Sequence, residues 1–296
     1  MSERVAVPLA FVAGGGVALQ AYVNGRLSGE VGSTLLASLL SFVVGLVVLF
    51  GLAVWRGSIG AARARLRRTR VRPWFFLGGL AGAYLVSSTA AAAPEIGVAL
   101  VTVALVAGQT GGSLAVDAAG LGPSGRQPVT ARRLAGVGLA VVAVLLSATF
   151  GGGSGSLHVP LLLLVAAAGI GVALQQASNG RLQQASGETI FAALVNFVIG
   201  TVLLAVLLVA SSPSDVTLAA SPLLYLGGLL GANFVLTAAA TVRVLGVLRL
   251  SLVAIAGQSA GALLLDAVDP APGRELSAAT VVGVLLTIAA IGVSRR

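Results

Sequence analysis

The sequence predicts an all-α integral membrane protein of ten transmembrane helices, built as two inverted five-helix repeats. Two observations come first. Of 296 residues, 57% are hydrophobic and only 9% charged, with a mean hydropathy of +1.03, whereas roughly a quarter of the residues of a soluble domain are charged. Residues 16–27, GVALQAYVNGRL, return 155 positions later as GVALQQASNGRL at 171–182. The register then holds, with Gly32, Thr34, Ala37, Leu39, Phe42, Val43 and Gly45 matched by Gly187, Thr189, Ala192, Leu194, Phe197, Val198 and Gly200. A period of half the chain signals a duplicated domain and not a solenoid.

The third observation is the length of the apolar stretches. A helix needs about 20 apolar residues to cross about 30 Å of hydrocarbon. On that ruler ten spans can be cut, near 5–23, 33–55, 73–92, 96–117, 134–150, 159–177, 190–210, 222–241, 244–266 and 277–293. The first has the look of a signal peptide, with Arg4 before an apolar run, but its copy in mid-chain argues against cleavage. The Arg-rich run 56–72, GLGPSGRQP at 120–128, GGGSGS at 151–156 and SSPSD at 211–215 read as loops. GGGSGS is the linker, dividing the chain into a first repeat at 1–150 and a second at 151–296.

Orientation follows from arginine, because short basic loops stay cytoplasmic. All eighteen basic residues are Arg, a composition that fits a high-GC bacterial gene. Arg56, Arg63, Arg65, Arg67, Arg68, Arg70 and Arg72 fix the loop after span two inside. Counting alternate sides puts Arg4, Arg126, Arg132, Arg133, Arg181, Arg243, Arg249, Arg295 and Arg296 inside too, and only Arg26 and Arg274 outside. Both termini are therefore expected in the cytoplasm. Five spans per half is an odd number, so the second copy enters the membrane upside down, as in many secondary transporters.

Spans three and four also repeat. LGGLAGA at 77–83 answers LGGLLGA at 226–232, and GQTGGSLAVD at 108–117 answers GQSAGALLLD at 257–266. Gly78/Gly82, Gly108/Gly112, Gly227/Gly231 and Gly257/Gly261 are small-xxx-small pairs that let helices approach closely.

Polar side chains inside a membrane are costly unless paired, which makes each a candidate. Thr102, Gln109 and Asp117 fall near one helix face, as do Ser251, Gln258 and Asp266 in the copy. Each stripe reads either as pocket lining or as interhelical hydrogen bonding. Gln20 and Asn24 are i,i+4 neighbours, matched by Gln175 and Asn179. The Asn-Gly that follows reads as a helix stop. Arg26 breaks the positive-inside pattern, and is expected to pair with Glu30 or to attract an anion. Arg249 is expected to snorkel to the cytoplasm, out of any pocket. Arg26, Arg181, Asp117 and Asp266 are candidates for gating or coupling.

The formal charge of +9 does not point to nucleic acid, since the arginines sit in loops between apolar spans. With no Cys and one His, His158 in a Gly/Ser loop, no metal site can be assembled, and no cofactor is implied. An intramembrane aspartic enzyme needs two carboxylates sharing a proton at about 3 Å. Inverted topology would instead place Asp117 and Asp266 about 30 Å apart. A scaffold or receptor that moves nothing is the other rival, and the repeated polar stripes stand against it.

At GxxxQxxxNGxL in spans one and six, and GQxxxxxxxD in spans four and nine, the sequence resembles the drug/metabolite transporter superfamily, and within it the YdcZ-like family in a double-length form. The resemblance implies a ten-helix bacterial inner-membrane protein that moves small molecules, related to multidrug exporters of half the length or less. Those relatives carry an essential Glu in the first helix. This chain has Gln20 and Gln175 at the comparable depth, which do not ionise.

The function expected is transport, with export the direction that the family likeness implies, of small polar or amphipathic molecules by alternating access. Gln20, Gln109, Gln175, Gln258, Thr102, Ser251, Asn24 and Asn179 are the expected substrate contacts, with Gln109 and Gln258 near the bilayer midplane. The partners expected are a small-molecule substrate and the lipid bilayer, with a homodimer left open.

Overall fold

The computed structural model describes residues 1–96, 98–150, 159–211 and 221–268, together with 278, 281, 282, 285, 286, 289 and 293. Among these residues the chain is helical: α1 (Glu3–Val31), α2 (Thr34–Trp55), α3 (Ser58–Leu66), α4 (Gly78–Ile96), α5 (Val98–Ala118), α6 (Ala131–Phe150), α7 (Val159–Ser186), α8 (Thr189–Ser211) and α9 (Gly227–Val268). Short 3-10 turns, Pro73–Phe76 and Pro222–Leu226, lead into α4 and α9 at matching places in the two copies. Each opens on a proline, whose fixed φ suits the first turn of a helix.

Four stretches among the described residues are long and apolar enough to cross a membrane: Glu3–Val31, Thr34–Trp55, Thr189–Ser211 and Pro222–Gly261. Side chains on α2 and α8 tell the same story. Val43, Val47, Phe50 and Val54 are exposed along one side of α2, and Val198, Val202, Val206 and Val209 along one side of α8. Contiguous apolar faces of that length need an apolar solvent.

The structure departs from the sequence reading in three places. Asn24-Gly25 and Asn179-Gly180 are not helix stops: α1 runs on to Val31 and α7 to Ser186. The stops are Gly32 and Gly187, at φ 70° and 76°, a left-handed conformation natural to glycine. Gly180 serves close packing instead, since a Cβ there would lie 2.8 Å from the Pro123 ring. The Arg-rich run is not all loop, because α3 forms within it and buries Ser58 and Ala62, one turn apart. Arg65 of α3 lies against Gly187, where the negative end of the α7 dipole favours a cation. Finally, spans eight and nine join in α9, broken only at Gly246 (φ 74°, ψ 167°).

The halves are interlocked. α1 packs along both arms of α9, α7 packs along α4 and α5, and α2 packs against α8. Glycine makes this possible at matched points. A Cβ on Gly257 would strike the Phe11 carbonyl, and one on Gly108 the Ala166 carbonyl. Gly14 and Gly169 stand in the same way against Ala254 and Leu105. Gly45 abuts the Phe197 ring and Gly200 the Phe42 ring, the two rings being 5.0 Å apart. In every pair, each residue is exchanged for its counterpart in the other copy.

Candidate functional site

Where these helices cross lies a cavity of about 90 Å³, lined by Gln20 of α1, Gln109 of α5, Gln175 of α7 and Gln258 of α9. Asn196 of α8 and the rings of Phe42, Phe197 and Phe234 complete much of the wall. Gly82 and Gly231 also line it and give the amides their room. A Cβ at Gly82 would sit 2.8 Å from Gln175 Nε2, and one at Gly231 would crowd the Gln20 amide. Among the described residues, none lining the cavity is ionisable. Five carboxamides, the four glutamines and Asn196, in an otherwise apolar wall can orient a solute by donating and accepting hydrogen bonds without binding a proton.

Behind Gln175 runs a closed relay. Its Nε2 donates to Asn196 Oδ1 at 3.2 Å, and Asn196 Nδ2 donates to Asn179 Oδ1 at 3.2 Å. Asn179 is thus tied into the wall and does not itself line the cavity. Asn24, its counterpart, presses its Oδ1 against Gly227, and that oxygen is buried without a hydrogen-bond partner.

Ser251 does not line the cavity either. It is fully buried in a hydroxyl chain, 2.6 Å from Ser113 Oγ and donating to Gln176 Oε1 at 2.9 Å. Ser113 in turn donates to the Gln109 carbonyl at 2.6 Å. This is the interhelical bonding that the sequence left as an alternative. Thr102 and Asp266 belong to α5 and α9, but their side chains lie outside the described ones.

Asp117 stands away from the glutamines, at the break in α9. Its carboxylate accepts from the Val247 and Leu248 amides at 3.0 and 3.2 Å and pairs with Arg133. Those two amides begin the second arm of α9 and have no intrahelical acceptor, so a carboxylate is their natural partner. On the other side of the break, Ser124 Oγ lies 3.2 Å from the Val242 and Arg243 carbonyls, within donating reach of both. Arg181 holds the same loop by donating to the Leu121 and Gly120 carbonyls at 2.9 and 2.8 Å. Arg26 is exposed, donates to the Tyr22 hydroxyl at 3.0 Å and lies over its ring. Arg249 stays out of the cavity wall: it is 9% exposed and pairs with Glu3, near the start of α1.

Sequence reasoning missed Asn196, Ser124 and Arg133. An Asn in the middle of the apolar run 190–210 was the available signal for the first. Nothing local marks the other two.

The comparisons with known proteins agree with this picture. The chain matches, over residues 5–146 and again over 160–293, the family described as "Putative inner membrane exporter, YdcZ". It is similar in fold to a solved structure titled "Crystal structure of protein", at 21% identity and a TM-score of 0.72, covering 99% of this chain and 97% of that one. No curated protein matches the chain. With the family matched once in each half, the chain belongs to the YdcZ family of membrane transporters in the drug/metabolite transporter superfamily, in a double-length form.

Proposed function

We propose that this protein is an inner-membrane exporter of small polar molecules that works by alternating access, with its solute held by Gln20, Gln109, Gln175 and Gln258. One observation carries the reading. Glutamines from four helices, two in each copy, converge on one cavity where the copies cross. A site at that crossing can be opened to either face by rocking one half against the other. On this reading residues 1–150 and 151–296 are inverted five-helix repeats, giving ten spans with both termini cytoplasmic. The exchange of counterparts in the glycine contacts of α1 with α9, α5 with α7 and α2 with α8 supports such a two-fold relation.

The break at Gly246, held by Asp117, Arg133 and Ser124, is the hinge of this scheme. The arms of α9 meet there without an unbroken helical ladder between them. Asp117 and Arg181 therefore act by shaping the gate and not by touching solute.

Uptake of a panel of labelled neutral, zwitterionic and cationic solutes into proteoliposomes tests the reading. The wild type should move at least one class. The double variant Gln109→Ala, Gln258→Ala should melt near wild type yet lose most of that transport. Normal transport in the double variant would sink the assignment.

A further inference from the structure

The two copies differ sharply in the connection that follows their second helix. In the second copy it is the ten residues 212–221, with one Asp and no basic residue. In the first it is the seventeen residues 56–72, of which seven are Arg and none is acidic. Between Glu30 and Glu95 the sequence holds no carboxylate at all. All seven arginines are exposed, and among the described residues none of them pairs with an acid. The run is nevertheless folded. α3 is nine residues long, too short to be stable by itself, and Arg63 and Arg67 are like charges one turn apart, which opposes it further. Packing holds it: Ser58 and Ala62 are buried, and α3 lies against α2 and against α7 and α8 of the other copy.

Apolar side chains mark the level at which this charge lies. α2 ends on Val54 and Trp55, 58% and 77% exposed, and α4 is entered through the exposed Leu77 and Leu80. Hydrocarbon covers such residues in a membrane, so Arg56 and Arg72, just beyond them, stand at the depth of the headgroups. Tryptophan favours the same depth. The Arg56 guanidinium lies 5.4 Å from the centre of the Trp55 ring, and Trp74 stands at the other end of the run, in the turn Pro73–Phe76. These are the two tryptophans of the chain.

We propose that residues 56–72 form a docking surface for the headgroups of anionic phospholipids. A guanidinium donates two parallel hydrogen bonds to a phosphate, and every cation near an anionic surface adds to the attraction. The headgroups supply the countercharge that the protein withholds, and so relieve the repulsion within α3. Free phosphate would meet the same guanidiniums but has nothing to lay against Val54, Trp55 or Leu77. A lipid brings headgroup and chain together. Since Arg65 is engaged at the end of α7 and Arg56 at Trp55, Arg63, Arg67, Arg68 and Arg70 carry most of the docking.

The two tryptophans supply the readout, because bromine on an acyl chain quenches an indole that it touches. Protein would be reconstituted in phosphatidylcholine bilayers holding a fixed share of phosphatidylglycerol, with the bromine carried either by the phosphatidylglycerol or by an equal amount of the phosphatidylcholine. Both leaflets are then alike, so the orientation of the protein does not affect the result. At low salt the brominated phosphatidylglycerol should quench at least about twofold more strongly, and the excess should shrink as sodium chloride screens it. Replacing Arg63, Arg67, Arg68 and Arg70 together by Gln leaves both tryptophans in place and should remove most of the excess. Replacing the same four by Lys should keep it, since a lipid surface reads charge. Should the Gln variant fail to fold, the Lys variant and the salt titration of wild type decide. Equal quenching by the two lipids in wild type, an excess that survives the four Gln or resists salt, or a Lys variant without the excess would overturn the proposal. So would an excess abolished by inorganic phosphate at an ionic strength where chloride spares it, which would assign the surface to the free anion.

Discussion

Asp117, the last polar residue of α5, accepts a hydrogen bond from the amide of Val247, a residue 130 positions further along the chain. With Leu248 and Arg133 on the same carboxylate, one side chain completes a helix N-terminus and neutralises a cation at once. Asp117→Ala should therefore destabilise by about 3 kcal/mol, the lower end for a broken buried ion pair, because Arg133 keeps 13% of its exposure. Asp117→Asn keeps an acceptor and should fall between Ala and wild type. Thermal unfolding in detergent orders the three, and an Asn variant no better than Ala would contradict the capping role.

Gly246, beside that carboxylate, has φ 74° and ψ 167°, a region open almost only to glycine. Gly246→Ala is expected to cost about 1–3 kcal/mol in backbone strain. A melting temperature equal to wild type would mean that α9 can pass this point as regular helix.

Gly45 and Gly200 face each other's aromatic neighbours, Phe197 and Phe42. Gly45→Ala and Gly200→Ala should each cost about 1–3 kcal/mol by overpacking, and by similar amounts. A large effect at one site and none at the other, read from paired melting curves, would argue that the copies are not equivalent where they cross.

Ser251 sits in the hydroxyl chain with Ser113 and Gln176, outside the cavity wall. Its replacement by Ala should lower stability by about 1–2 kcal/mol and leave solute uptake per folded protein within about twofold of wild type. Loss of uptake with an unchanged melting curve would return Ser251 to the site.

Orientation has its own test. Alkaline phosphatase fused after Gly153 should be active, since that linker is expected on the far side of the inner membrane, and inactive when fused after Arg65. The reverse pattern would invert the whole topology.

Much of this was legible before any coordinates. Gln20 and Gln175, and Gln109 and Gln258, announce themselves because each is polar, lies within an apolar span and is repeated. Asn196 escaped because its copy is Ser41, and matching identical residues passes over a position where the copies differ. The role of Asp117 was illegible for another reason: its partners are backbone amides freed by a break at Gly246, and neither spacing nor hydropathy reveals a break within an apolar run. Asn24-Gly25 and Asn179-Gly180 misled because local turn chemistry yields to packing. A glycine that would end a helix in water also lets two helices touch inside a bilayer.

The ion pair between Glu3 and Arg249 joins residues 246 apart, and most of α1 is seated on α9. A ribosome adding 5–20 residues per second takes about 12–50 s to travel that distance. Through that interval α1 is in the membrane with its glycine face and Gln20 still waiting for α9. Assembly is thus paced by translation, and a chain truncated before α9 would leave α1 as a polar-studded orphan, a natural target for membrane quality control.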